Sequence, residues 1–244
     1  MRRTMLLIVG FGVCFAVLWL LLSNSVTVLT CAAVSKPLFQ MHAQTGGNDA
    51  QKKEQTLPLP VSGTSLIAEQ IMLYEGAFLE DSYTQEVVQV AALLIRNTAQ
   101  WGVERATVVL ESGSCTYVFE ADSIPPGEAV LVLEKNQRAY GAQSFTACYG
   151  TSDCTAEDWS CSETVDIQCV DIGTVTVTNQ TNQVLIGIML YYKNYIADPG
   201  FFVGGRSNVH LIERMEPGQT IYIYPLFYAK EYSRFARIEI QDCL

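Results

Sequence analysis

The chain has 244 residues, of which 49% are hydrophobic, and it carries a formal net charge of −10. This length and hydrophobic content are sufficient for one large domain or two small ones, and they argue against disorder over most of the chain. The excess of acidic groups repels phosphates, which argues against nucleic acid and anionic lipid headgroups as partners.

The first predicted element is a membrane-spanning helix. Arg2 and Arg3 precede an uncharged apolar core, residues 5–22, which as a helix would be roughly 27 Å long against a hydrocarbon thickness of ~30 Å. Because positive residues stay in the cytoplasm, residues 1–34 are predicted to form a cytoplasmic stub and transmembrane signal-anchor of a single-pass cell-membrane protein, with the bulk of the chain outside. A cleaved secretory signal, cut near Ala33, is the alternative, although the apolar core is longer than such signals have.

Residues 35–64 are predicted to be a flexible spacer. Their sequence mixes Gly, Pro, Gln, Lys and Asn without apolar periodicity, which is typical of linkers. The spacer would hold the folded part of the chain away from the membrane.

Beyond the spacer, short runs rich in Val, Ile, Leu, Thr and Tyr alternate with turn residues, which predicts strands and no long amphipathic helix. The predicted strands cover residues 87–95, 106–111, 115–119, 129–133 and 144–148 in a first set, and 173–178, 184–192, 208–212, 220–224 and 236–240 in a second set. We therefore expect an all-β fold of two tandem immunoglobulin-like β-sandwich modules, residues 65–150 and 169–244, joined by a cysteine-rich acidic linker, residues 151–168. Whether they form two separate sandwiches or one larger one is open at this point.

The two sets of strands align as an internal repeat. Asn97 aligns with Asn179, and the Pro-Gly step that begins at Pro126 aligns with the step that begins at Pro217. The second copy carries about nine extra residues, which we place in residues 195–205. Asn and Pro-Gly are turn residues, so these landmarks belong first to the scaffold.

The repeated stretches resemble the FxLYD-type and related immunoglobulin-like modules of bacterial envelope proteins. The resemblance lies in RNTAQWGVERATVVLE, TNQTNQVLIGIMLYYK, IPPGEAVLVL and MEPGQTIYIY, although the first copy has Val-Val-Leu-Glu where an aromatic residue is expected. It implies an envelope-exposed module without a defined catalytic site.

Six cysteines lie in the part of the chain predicted to be outside the cytoplasm. An even number in an oxidising compartment permits three disulfides, whose pairing the sequence does not give. Free thiols and a metal site are the alternatives, but the gaps of five, six and seven residues between the middle four differ from the close CxxC pairs of zinc sites. The disulfide candidates are Cys115, Cys148, Cys154, Cys161, Cys169 and Cys243.

The sequence contains no motif of an enzyme. It has no G-x-S-x-G, P-loop, dinucleotide or HExxH pattern, and its two histidines, His42 and His210, lie far apart. We therefore predict no catalytic activity, no cofactor and no metal. An envelope glycan hydrolase remains the alternative, because the separation of two carboxylates is a three-dimensional quantity.

Aromatic residues are concentrated in the second half of the chain. They either fill a sandwich core or form a platform for a glycan or partner protein, and in residues 220–224 either the Ile or the Tyr set must point outward. The candidate binding residues are Tyr191, Tyr192, Phe201, Phe202, Tyr222 and Tyr224.

Taken together, these features predict a membrane-anchored binding or scaffolding protein of a bacterial cell envelope. Its partners would be the membrane, through the N-terminal helix, and an envelope protein or glycan. The alternatives are a surface-glycan-binding module, an envelope glycan hydrolase, and a secreted protein with a cleaved signal peptide.

Overall fold

The computed structural model describes residues 54–113, 115–141, 144–155 and 159–244, which belong to one compact unit and confirm the all-β prediction. Within these ranges the chain forms thirteen strands and no helix: β1 (Leu59–Pro60), β2 (Leu66–Glu80), β3 (Tyr83–Asn97), β4 (Gly102–Ser112), β5 (Cys115–Ile124), β6 (Ala129–Leu133), β7 (Ala147–Thr155), β8 (Val165–Asp171), β9 (Thr174–Asn179), β10 (Leu185–Ile196), β11 (Phe201–Met215), β12 (Thr220–Ile223) and β13 (Ser233–Cys243). The predicted N-terminal helix lies outside the described residues.

The two halves of the sequence share one sheet. Seven strands form it in the order β1-β2-β3-β6-β11-β10-β13, and two three-stranded sheets, β5-β4-β7 and β12-β9-β8, complete the fold. The first half meets the second where β6 and β11 pair in parallel, with Phe202 opposite Val130 and Val203 opposite Leu131. Because this ladder is continuous, the two halves are parts of one larger β structure.

Each three-stranded sheet covers one half of the large sheet. The first core lies over β3 and β6 and includes the fully buried Leu93, Val108 and Phe119. The second lies over β10 and β11 and includes Val177 and Ile188. Burial alternates along these strands because every second side chain points into one of the cores.

A third apolar cluster lies on the opposite face of the large sheet, where Ala92 and Leu131 are buried. The hairpin of β2 and β3 reaches this region: the backbone N–H of Gly205 donates to Glu80 Oε2 at 2.9 Å and that of Ser82 donates to Asn208 Oδ1 at 2.6 Å. The pairing of β2 with β3 shifts register twice, and such irregularities bend a strand. The hairpin therefore bends back until its tip contacts β11.

The aligned asparagines Asn97 and Asn179 make equivalent bonds at the ends of β3 and β9. Both side chains are fully buried, and each amide nitrogen donates to the carbonyl four residues later and to two carbonyls just before the Pro-Gly turn. The acceptors are Trp101, Ile124 and Pro125 for Asn97, and Gln183, Met215 and Glu216 for Asn179. We call this arrangement the asparagine clasp.

The Pro-Gly turns are also equivalent. Gly127 and Gly218 have φ values of 73° and 67°, in the left-handed region that glycine adopts without strain. In both turns the N–H after the glycine donates to the carbonyl three residues earlier, from Glu128 to Pro125 and from Gln219 to Glu216. Clasp and turn together are the repeated part of the scaffold.

Segments that the sequence assigns to the spacer and the linker take part in the fold. Gln55 pairs with Phe145 across an isolated bridge, and Val61 is 1% exposed in the first core. β8 begins within the predicted linker and pairs with β9. The folded part therefore extends further in both regions than the sequence indicates.

The structure has no disulfide among the described residues, whereas the sequence predicts up to three. The physical reason is their placement: Cys115 lies beside the β4–β5 turn, Cys148 is buried in the first core, and Cys243 ends β13. Cys169 instead contacts the hydroxyl of Tyr228 at 2.7 Å.

We expect Asn179→Ala to lower the free energy of unfolding by about 3 kcal/mol, because three carbonyls lose their donor in a buried site. Asn182→Ala, which changes an exposed residue of the same turn, should change it by less than about 0.5 kcal/mol. Urea denaturation of the two variants measures the difference. Equal midpoints would show that the clasp does not stabilise the fold.

The cysteines should differ in reactivity. Burial raises the pKa of Cys148 to about 11 from its ordinary value of 9.0, which leaves about 100-fold less thiolate at pH 8, whereas Cys154 is exposed. Iodoacetamide should therefore modify Cys154 much faster than Cys148 in the native chain, and at similar rates in urea. Peptide mass spectrometry measures both. Protection of Cys154 until a reductant is added would instead indicate a disulfide.

Candidate functional site

The structure separates the six aromatic residues predicted to bind a partner. Tyr192, Phe201 and Phe202 are buried, with 1%, 4% and 4% of their surface exposed, whereas Tyr222 and Tyr224 are 65% and 71% exposed. The sixth, Tyr191, is half-buried. The six do not form one platform.

Phe201 and Phe202 lie at the junction of the two halves. Phe202 packs into the first core and makes an edge-to-face contact with Tyr195, while Phe201 packs into the third cluster. Both belong to the nine-residue insertion of the second copy, which the sequence places beside a binding surface. The insertion instead supplies the residues that pair with β6.

Tyr192 is a core residue of the second half. Its ring makes edge-to-face contacts with Tyr228 and Phe235. Its hydroxyl donates to the carbonyl of Leu226 at 2.6 Å, and burial raises its pKa to about 12. This hydrogen bond attaches the backbone at Leu226, which follows β12, to a side chain of the second core.

Tyr191 belongs to a cluster around Arg237. The Tyr191 hydroxyl donates to Glu239 at 3.1 Å, and Arg237 lies over the rings of Tyr191 and Trp159 while pairing with Glu104 and Glu239. Sequence reasoning missed Trp159, whose indole N–H donates to the carbonyl of Ala236. The cluster joins β4 to β13, so it is part of the scaffold.

Trp159 also explains a glycine at the start of β4. Its ring occupies the space that a Cβ of Gly102 would take. A Gly 57 residues before a Trp gives no sequence signal for such a contact.

Tyr222 and Tyr224 remain as the surface candidates. In β12 the side chains of Ile221 and Ile223 pack against the second core, so the Tyr set points outward. Tyr222 lies opposite Thr176, which lies opposite Gln168, and the Gln168 amide donates to the carboxylate of Asp166 at 2.7 Å, so the aromatic ring adjoins polar groups. Beside them, the hydroxyls of Thr178 and Thr220 are 2.9 Å apart. We call the surface formed by Gln168, Thr176, Thr178, Thr220, Tyr222 and Tyr224 the tyrosine face.

A buried lysine that the sequence did not indicate joins the two halves. Lys193 Nζ donates to the carbonyls of Gly204 and Gly205 at 2.8 Å and lies 3.4 Å from Asp122 Oδ1. Burial lowers its pKa, and Asp122 partly offsets this. Asp122 also accepts from the backbone N–H of Ser207 at 3.0 Å. All three acceptors hold the ammonium in place, which fits a structural role. In YYKNY the lysine resembles any exposed strand residue.

A polar cavity of about 260 Å³ lies beside the hairpin tip. Its charged groups are already engaged: Glu134 accepts from the N–H groups of Asn136 and Arg138, and Lys135 pairs with Glu120. In the part of the chain that the structure describes, no group of three His, Cys, Asp or Glu residues has the arrangement of a metal site.

Comparison with known proteins finds no match, either to a family model or to a curated protein. The resemblance to FxLYD-type modules therefore stays a prediction. Over the described ranges, no helix is long and apolar enough to cross a membrane; the predicted span, residues 5–22, lies outside them.

The junction should depend on Gly205, because a Cβ there would overlap the backbone oxygen of Glu120. We expect Gly205→Ala to force β5 and β11 apart and to lower the free energy of unfolding by about 3 kcal/mol. Gly141→Ala is the control, since its Cβ would meet nothing within 4 Å. Urea denaturation followed by tryptophan fluorescence measures both. If Gly205→Ala is as stable as Gly141→Ala, the close approach does not constrain the junction.

Proposed function

We propose that this chain is a membrane-anchored extracytoplasmic binding or scaffolding protein of a bacterial cell envelope, and that the tyrosine face binds its partner. The observation that carries the proposal is the exposure of Tyr222 and Tyr224, 65% and 71%. Tyr222 lies on β12 and Tyr224 directly follows that strand, whose alternate residues Ile221 and Ile223 pack against the core. Neighbouring exposed apolar groups indicate an interaction surface, whereas single scattered ones do not.

The backbone of β12 supports this role because it is fixed. Four consecutive residues pair with β9, from Thr220 opposite Thr178 to Ile223 opposite Val175. A tyrosine ring on a fixed backbone loses little conformational entropy on binding, and neighbouring hydroxyl and amide groups add adaptable hydrogen bonds. The face combines these two properties.

Membrane anchorage and envelope location rest on the sequence. The apolar core of residues 5–22, preceded by two arginines, supports an anchor, and the acidic composition supports a protein or neutral partner over a phosphate-bearing one. We also propose that each half is an immunoglobulin-like module. The equivalent asparagine clasps at Asn97 and Asn179 support this interpretation.

A surface glycan is the second candidate partner. It is favoured by the polar groups around Tyr222, since Thr176 and Gln168 offer hydroxyl and amide groups and the ring offers a flat apolar surface. Hydrolysis of a glycan has less support, because two carboxylates of the cavity, Glu120 and Glu134, are engaged by Lys135 and by the backbone N–H of Asn136.

The double substitution Tyr222→Thr with Tyr224→Thr should lower partner binding at least tenfold, as expected for two anchor residues of about 1 kcal/mol or more each. Threonine keeps a strand-forming residue on the surface, so the urea midpoint should not change. The measurement is recovery of the partner from envelope membranes after crosslinking of the full chain, and binding of the full chain in detergent to a glycan array.

Tyr149→Thr is the matched control, because Tyr149 is exposed on the outer strand of the other three-stranded sheet. Loss of partner protein only in the double variant would support scaffolding, and loss of glycan signal only there would support carbohydrate recognition. Equal binding by both variants would remove the tyrosine face from the proposal.

A further inference from the structure

Five large apolar side chains are exposed at one end of the β12-β9-β8 sheet, one of them near the end of β8 and four on two adjoining turns. One turn joins β8 to β9, and the other follows β12. Their exposed fractions lie between 46% and 62%. We call this group the apolar tip: Val170, Ile172, Leu226, Phe227 and Tyr232.

The two turns are fixed to each other. The backbone N–H of Lys230 donates to the carbonyl of Ile172 at 3.0 Å, and Lys230 Nζ donates to the carbonyl of Cys169 at 3.3 Å. The Tyr228 hydroxyl lies 2.7 Å from the sulfur of Cys169. The exposure of the tip is therefore part of an ordered surface, and an ordered apolar surface indicates an interaction site.

We infer that the apolar tip docks on the lipid surface of the membrane that carries the chain. This rests on the proposed function, because the anchor is part of that proposal. Aromatic and aliphatic side chains together are typical of segments that enter the membrane interface, where a tyrosine ring sits at headgroup level.

The charge of the tip fits this occupant. The two turns, residues 172–173 and 224–232, contain one acidic residue, Glu231, and one basic residue, Lys230, while Asp171 ends β8 and Arg234 lies in β13. The tip is thus electrically balanced in a chain of net charge −10. An acidic surface is repelled by a bilayer that contains anionic lipid, so a balanced region is the part of this chain that can approach it.

The length of chain before the described part also favours a lipid surface. About 30 residues separate the end of the apolar core, Leu22, from the first described residue, Glu54, and a chain of that length reaches no further than about 100 Å even when fully extended. Such a tether keeps the tip at a high effective concentration next to the bilayer, so a weak contact is sufficient.

Fluorescence quenching by lipid tests the inference. The full chain carrying Phe227→Trp is reconstituted into phosphatidylcholine nanodiscs with and without doxyl-labelled phosphatidylcholine, and the spectrum of the unsubstituted chain, which has three tryptophans, is subtracted. Val88→Trp is the matched control. Val88 is an apolar residue of β3 that is 70% exposed, and it does not belong to the apolar tip.

We expect the doxyl lipid to reduce the added fluorescence of Phe227→Trp at least twofold and that of Val88→Trp by little. Adding Leu226→Glu to Phe227→Trp should abolish the quenching, since a carboxylate beside the probe opposes insertion. Both positions are exposed, and the urea midpoint checks that each variant is folded.

Two failures are distinguishable. If the chain incorporates into nanodiscs but the two tryptophan variants are quenched equally, the inference is wrong and the proposed anchorage stands. If the chain does not incorporate at all, the anchorage fails, and the inference fails with it.

Discussion

The architecture depends on the buried ammonium of Lys193. A charge inside a protein is tolerated only when hydrogen-bond acceptors replace its water, and here the carbonyls of Gly204 and Gly205 and the carboxylate of Asp122 do so. The first two acceptors belong to β11 and the third to β5, so satisfying one charge requires both halves to be in place. The hydrogen bonds from Gly205 to Glu80 and from Ser82 to Asn208 hold β11 against the first half as well, but they do not bury a charge as Lys193 does.

The insertion explains how a duplicated pattern became one structure. Both copies keep the asparagine clasp at Asn97 and Asn179, which closes the turn region of each half in the same way. The second copy adds residues in 195–205, and these extend the β10–β11 hairpin, place Phe202 in the core of the first half and pair with β6. The added residues thus form a hydrogen-bonded and packed interface between the two halves.

The positions of most strands could be predicted from local sequence, whereas contacts between residues far apart in the chain could not. Nine of the ten predicted strands lie wholly or mostly within observed ones, because alternation and turn residues report directly on backbone geometry, and the tenth, residues 144–148, overlaps only the start of β7. β1 and β8 were not predicted. β2 was missed because its register shifts interrupt the period of two. Strand alternation shows that either the Ile or the Tyr side chains of residues 220–224 point outward, which leaves two choices for Tyr222 and Tyr224. The burial of Phe201 and Phe202 depends on pairing with β6, about 70 residues earlier, which local sequence does not show. Nothing in the residues around Lys193 or Trp159 indicates their distant partners.

The parallel pair of β6 and β11 has a consequence for how the protein is made. One edge of β6 pairs with β3, and the other pairs with residues that lie about 70 positions later in the chain. At a synthesis rate of about 5–20 residues per second, the first half waits for several seconds with an open strand edge and with Leu131 of the third cluster lacking its neighbours from β11. Such an edge can pair with a strand of another chain. The first half can therefore complete its folding only after β11 has been synthesised. Between the synthesis of β6 and that of β11, the chain is most exposed to misassembly.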